Sequence, residues 1–193
     1  MSYKTYTTEA LVCGSHDSYT SDRSFLLFTK DSGMLWATAK SVREEHSKQR
    51  YALQDFSHIR VTLWKGKSGW RIASVEALRN PFLAAQTRTE RGRVAFVVTQ
   101  LRRYGQGEAP LPKIYDDALF LLYAEPQATE QNDQLQQLFS VRLLAELGYI
   151  AANPSWEHLV AAQSLTEALE GFDENMAKYI GSAIKQASEV SHL

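Results

Sequence analysis

Cysteine occurs once in this chain, at Cys13. An internal disulfide and a cysteine-based zinc site are therefore excluded, and the apolar run around Cys13 gives it the character of a small buried side chain. The five histidines, His16, His46, His58, His158 and His192, show no i, i+3 or i+4 pairing and no adjoining carboxylate set, so neither a metal nor another cofactor is expected. Long apolar runs are missing too. Stretches such as Ala95-Phe96-Val97-Val98 fall far short of the roughly 20 residues that span a bilayer, and no basic segment leads into an apolar one at the N-terminus. The expectation is a globular chain that stays in the cytoplasm, away from membranes.

Signatures of catalysis are also lacking. Gly66-Lys67-Ser68 has Val61 where a phosphate-binding loop needs a glycine, and it lies between two strand patterns, so it reads as a hairpin turn with exposed cations. His16, Ser21 and Asp22 fall in a polar hairpin with no nucleophile elbow or oxyanion hole. Asp116-Asp117 reads as a solvated first helical turn meeting the positive end of the helix dipole. No enzyme activity is expected.

What the chain does have is charge, unevenly placed. Residues 1–103 hold 17 basic and 9 acidic side chains, whereas residues 104–193 hold 4 and 13, so a net charge of −1 conceals two opposite halves. Within residues 36–71, Lys40, Arg43, Lys48, Arg50, Arg60, Lys65, Lys67 and Arg71 face only three acids and are interleaved with Trp36, Tyr51, Trp64 and Trp70. Dense cations with aromatics at strand positions suit a phosphate backbone and its bases. Lys40, Arg43, Lys48 and Arg50 are the leading candidates to neutralise phosphates. Lys65, Lys67 and Arg71 extend the track, with Trp64 or Trp70 either stacking on bases or packing the barrel. A second basic stretch, including Arg91, Arg102 and Arg103, either extends that footprint or holds an acidic peptide.

Periodicity divides the chain near Asn80-Pro81. Before it, residues 7–14, 22–29, 34–40, 59–66 and 69–77 read as strands, with Ile59, Val61 and Leu63 alternating against Arg60, Thr62 and Trp64. A short helix is expected between the third and fourth strands, with Ser47 as N-cap and Tyr51, Leu53 and Phe56 as its apolar residues. Five strands with a helix in that place describe an OB-fold. After it, helices are expected at 82–103, 112–124, 131–147, 155–170 and 173–190, with Ser155 as an N-cap and breaks at Gly105 to Pro112, Glu125-Pro126, Gly148 to Pro154 and Gly171. The stripe Leu135, Leu138, Phe139, Leu143, Leu144 and Leu147 reads as core packing. The fold class is α+β: a five-stranded OB-fold barrel over 1–80, then an all-α helical domain over 81–193.

The run Ser21-Asp22-Arg23, Phe28-Thr29, Gly33-Met34-Leu35, Ala39-Lys40-Ser41-Val42-Arg43, Ser47-Lys48 and Leu53-Gln54-Asp55-Phe56 resembles the N-terminal signature of the bacterial RecO family. Leu138-Phe139 and Arg142-Leu143-Leu144-Ala145-Glu146-Leu147-Gly148-Tyr149 resemble its helical domain. The resemblance implies a recombination mediator in DNA repair that binds single- and double-stranded DNA, anneals strands and helps load recombinase on strands coated by single-strand-binding protein (SSB). It implies as partners RecR and the acidic C-terminal tail of SSB. Lys40 and Arg43 match the part of the motif that presents cations to DNA. Arg91, Arg102 and Arg103 lie near Phe96, Val97, Val98 and Leu101, and would either offer the SSB tail both a cation and an apolar pocket or form surface pairs with the 13 acids of residues 104–193. Two departures stand out: no four-cysteine zinc module follows Gly148-Tyr149, and Thr20 replaces the usual acid of the first hairpin. The alternative function is a protein-binding adaptor that carries a basic barrel with no direct role on DNA.

Overall fold

A computed structural model describes residues 4–18, 21–125, 129–151 and 153–190; Thr20, Pro126 and His192 lie outside them. Strands β1 (Thr5–Asp17), β2 (Arg23–Thr29), β3 (Gly33–Ala39), β4 (His58–Gly66) and β5 (Gly69–Arg79) close into a barrel in the order β1-β2-β3-β5-β4. Only the β3 to β5 pairing is parallel. This is the OB-fold that the strand count and helix position led one to expect. Helix α1 between β3 and β4 is a single turn, Gln49–Ala52, whose N-cap is Lys48 and not Ser47. Phe56 lies beyond it at φ 69°. The turn seats Leu53, which with Val42 joins the apolar barrel interior of Val12, Phe25, Leu27, Leu35, Ile59, Val61 and Leu63.

The helices after β5 are α2 (Pro81–Ala84), α3 (Arg88–Tyr104), α4 (Pro112–Tyr123), α5 (Thr129–Glu146), α6 (Glu157–Ala161), α7 (Leu165–Glu170) and α8 (Glu174–Val190). Two expected helices are split. The segment expected as 82–103 breaks because the Asn80 side chain caps α2 and Thr87 starts α3 in a capping box with Glu90. The segment expected as 155–170 breaks where Ser164 accepts the Glu167 amide to start α7. Ser155 caps neither piece, since α6 begins after Trp156 without a side-chain cap.

Strand β1 serves two cores. Ala10 and Val12 point into the barrel, whereas Leu11 and Cys13, with Phe28 and Met34, pack outward against Val94, Val97, Leu101 and Ile114 of α3 and α4. Burial pushes the Cys13 thiol up to about 12. Helix α5 is surrounded by α3, α4, α6, α7 and α8 and buries Leu135, Leu138, Phe139, Leu143 and Leu144. Among these sits Arg142, 1 % exposed. Its Nε donates to Asp117 Oδ2 at 2.7 Å and its Nη1 to the Leu159 and Ala162 carbonyls at 2.9 Å each. Asp117 is therefore a buried partner and not part of a solvated turn, because helical spacing turns it inward while Asp116 stays exposed. Its carboxyl is pushed up by burial and held down less strongly by Arg142.

Candidate nucleic-acid interface

Two adjoining surfaces of the barrel carry the features that a nucleic-acid strand requires. At the mouth, where β1 ends and β2 begins, strand register sets Asp17 opposite Arg23 and Arg23 opposite Ala39. The segment after β3 folds back over this end: Ser41, at φ 51°, donates its amide to Asp22 Oδ1 at 2.9 Å, and the Arg43 amide donates to the Ser21 carbonyl at 3.1 Å. Arg43 and Arg23 thereby share Asp17, each at 3.3 Å. Arg50 enters from α1, stacked on Tyr51 with its guanidinium carbon 5.1 Å from the ring centre. Arg23 was not singled out in the sequence as a phosphate contact, because only strand register shows that it meets Arg43. Lys40 and Lys48 flank this end, exposed and without an ion pair among the described residues.

The second surface is the outer face of the sheet. Its lower rows, Leu11, Phe28 and Met34, lie under the helices. Its upper rows are more exposed, apart from the buried Ser24: register places His16, Ser24, Thr38, Arg71 and Trp64 side by side on successive strands, with Trp36 one row below. Trp36 is 47 % exposed, and the His16 ring meets it edge-on at 4.5 Å. Arg71 lies over Trp64 at 5.9 Å and also bonds Ser68. Alternation along β3 forces Trp36 outward, since Leu35 and Ala37 fill the barrel. Trp70, by contrast, turns toward the interior against Tyr6 at 5.7 Å.

The other candidate cations differ in their partners. Lys67 is exposed on the hairpin turn, whose Gly69 adopts φ +106°, and has no ion pair among the described residues. Lys65 is bound by Glu108 at 2.9 Å, which holds that carboxyl below its usual range. Arg60, counted in the basic run, is neutralised by Glu9 and Glu76. Arg91, Arg102 and Arg103 do not converge: eleven residues of helix put Arg91 roughly 16 Å from Arg102 along the axis. Arg91 donates to the Ala85 carbonyl and Arg103 to that of Ser188. Arg102 reaches over Gly14 of β1, at the seam between helices and open face.

Barrel and helices are joined at His58. Its Nδ1 lies 2.7 Å from the Tyr123 hydroxyl, and its Nε2 lies 3.3 Å from that of Tyr115 and 3.4 Å from Glu9. Burial lowers the imidazole below its ordinary 6.5, against the pull of Glu9. Among the described residues no three His, Cys, Asp or Glu side chains group as a metal site, and no helix is long and apolar enough to cross a membrane. Residues 1–81 match the family model described as Recombination protein O N terminal.

Proposed function

We propose, from the match of residues 1–81 to the model of the recombination protein O N terminal, that this chain works as a member of that family and that the barrel mouth and the open outer face bind DNA, single- and double-stranded. A role in recombinational repair goes with that family. Within it, the reading is of a non-enzymatic mediator that anneals strands and helps load recombinase onto SSB-coated single strands in the cytoplasm. The observation that carries the DNA reading is the exposed Trp36 on a face edged by Arg71, Lys67 and the mouth cations. An aromatic platform beside exposed cations offers base stacking and phosphate neutralisation together.

Each phosphate contact on a single strand contributes about −0.7 to the slope of log K against log salt. Lys40→Glu with Arg43→Glu is expected to flatten that slope by two contacts in a folded protein, as read from oligonucleotide anisotropy across a salt series. An unchanged slope would sink the assignment, and absence of any salt-dependent binding would favour the adaptor.

RecR and the SSB tail are the proposed protein partners. For the tail, Arg103 is the cation we favour: one guanidinium nitrogen contacts the Ser188 carbonyl at 3.4 Å, the group stacks on Tyr104 at 5.2 Å, and the Tyr104 ring meets Tyr149 at 5.6 Å. Tyr149 borders an apolar cavity of about 350 Å³ with Ile150, Trp156 and Ala187. A peptide ending in a hydrophobic residue needs that pairing of pocket and cation. Reversing Arg102 and Arg103 to Glu is expected to abolish binding of a labelled SSB-tail peptide; equal affinity in the folded variant would move the site elsewhere.

A further inference from the structure

Arg23, Arg43 and Arg50 do more than line a path; with Phe25, Val42 and Leu53 they enclose a cavity of about 220 Å³. Asp17 is the acid that binds Arg23 and Arg43, and among the described residues Arg50 has only the Tyr51 hydroxyl as a hydrogen-bond partner. Three guanidinium groups thus border one small space, with Asp17 paired to two of them and the Asp22 carboxylate engaged by the Ser41 amide. An internal phosphodiester carries one negative charge and two free oxygens. A phosphate monoester at neutral pH carries nearly two charges and three strong acceptor oxygens, and the planar fork of arginine suits such oxygens.

We propose that this cavity takes the terminal phosphate monoester of a DNA strand. The proposal rests on the reading of the barrel as DNA-binding and adds to it the recognition of a strand end. The volume is below the roughly 300 Å³ at which whole small-molecule sites begin, so it suits a phosphate and part of its sugar, the latter against Phe25 and Leu53. The cavity is held open in advance. Val42 and Leu53 are buried in the barrel interior on either side of it, and the amides of Ser41 and Arg43 are fixed by Asp22 and Ser21. Lys40 and Lys48 flank the same end and would meet the phosphates that follow.

The test uses the full chain and one internally labelled oligonucleotide in three forms: with a 5′-phosphate, with a 3′-phosphate, and with hydroxyl groups at both ends. One phosphorylated form is expected to bind about tenfold more tightly than the hydroxyl form, the size of one added charge-assisted contact. Inorganic phosphate at constant ionic strength is expected to erase that advantage. Arg50→Gln should bring the ratio close to one, whereas Lys67→Gln, on the distant hairpin, should weaken all three forms and preserve it. Equal affinity of all three forms for a wild-type protein that still binds with salt dependence overturns the terminal-phosphate site and leaves the DNA reading standing. So does a ratio that survives Arg50→Gln or excess phosphate. Failure of every form to bind removes the DNA reading itself.

Discussion

Arg23, Arg43 and Arg50 at the barrel mouth differ from Arg91, Arg93, Arg103 and Arg142 of the helical region in what their guanidinium groups face. The helical arginines point at carbonyl oxygens: Arg91 at Ala85, Arg93 at Ala124, Arg103 at Ser188, and Arg142 at Leu159 and Ala162. Each acceptor sits at or near the C-terminal end of a helix, where the last four carbonyls lack intrahelical partners and the dipole is negative. A closed barrel has no such ends, because its strands satisfy one another around the ring. At its mouth Arg50 has no acid partner among the described residues and Arg23 and Arg43 share one, whereas Arg60 on the wall is held by Glu9 and Glu76. In a mixed fold, basic residues count toward a binding surface only after the helix ends have taken theirs.

That contrast breaks most visibly at Arg142. Replacing it by Ala strands Asp117 in the core and leaves the carbonyls at the end of α6 without a donor. The expected cost is about 3–5 kcal/mol of stability, measured by urea unfolding, with no change in the salt slope of DNA binding in whatever protein remains folded. The reverse is expected at Trp36. Trp36→Ala removes an exposed ring, so folding should shift by no more than about 0.5 kcal/mol, while single-strand affinity falls by the roughly 1–3 kcal/mol of one stacked base. A Trp36→Ala protein that binds oligonucleotides normally would shift the interface off this face.

A smaller effect is expected at the junction of the two regions. His58 is held neutral by burial and its folded value is lowered, so its contribution is complete above pH 6.5 and is lost as pH falls through the folded value. The thermal midpoint should drop from pH 7.5 to pH 5.5 by more in the natural protein than in His58→Gln; parallel drops would show that the titration lies elsewhere. Smallest of all is Glu108→Gln. It releases Lys65 from its one acid, and the salt slope for single strands should steepen by about 0.7 with little change in stability. An unchanged slope would show that Lys65 stands outside the footprint.

Much of the barrel was legible because strand alternation is local: Ile59, Val61 and Leu63 are buried while Arg60 is exposed. The breaks inside the expected long helices were missed, although Thr87-Arg88-Thr89-Glu90 and Ser164-Leu165-Thr166-Glu167 are each a start signal with its acid three residues on. Apolar periodicity carried across both signals and hid them. The site was only half legible. Charge density marked Arg43 and Arg50, but the meeting of Arg23 with Arg43 depends on strand register, and the outward turn of Trp36 against the inward turn of Trp70 depends on pleat phase. The contacts of Arg91 and Arg103 with carbonyls depend on where helices end in space, and so does the pairing of Asp117 with Arg142.

Strand β1, with one face in the barrel and the other against α3 and α4, has a consequence for how the protein can be taken apart. No cut near residue 80 yields a barrel with its own finished surface, since removing the helices bares Leu11, Phe28 and Met34 in one apolar row. A truncated barrel would be a sticky fragment prone to self-association, and loss of β1 would open both cores at once. Heating should therefore melt the chain in a single cooperative step, with the β1 amides among the last to exchange with solvent.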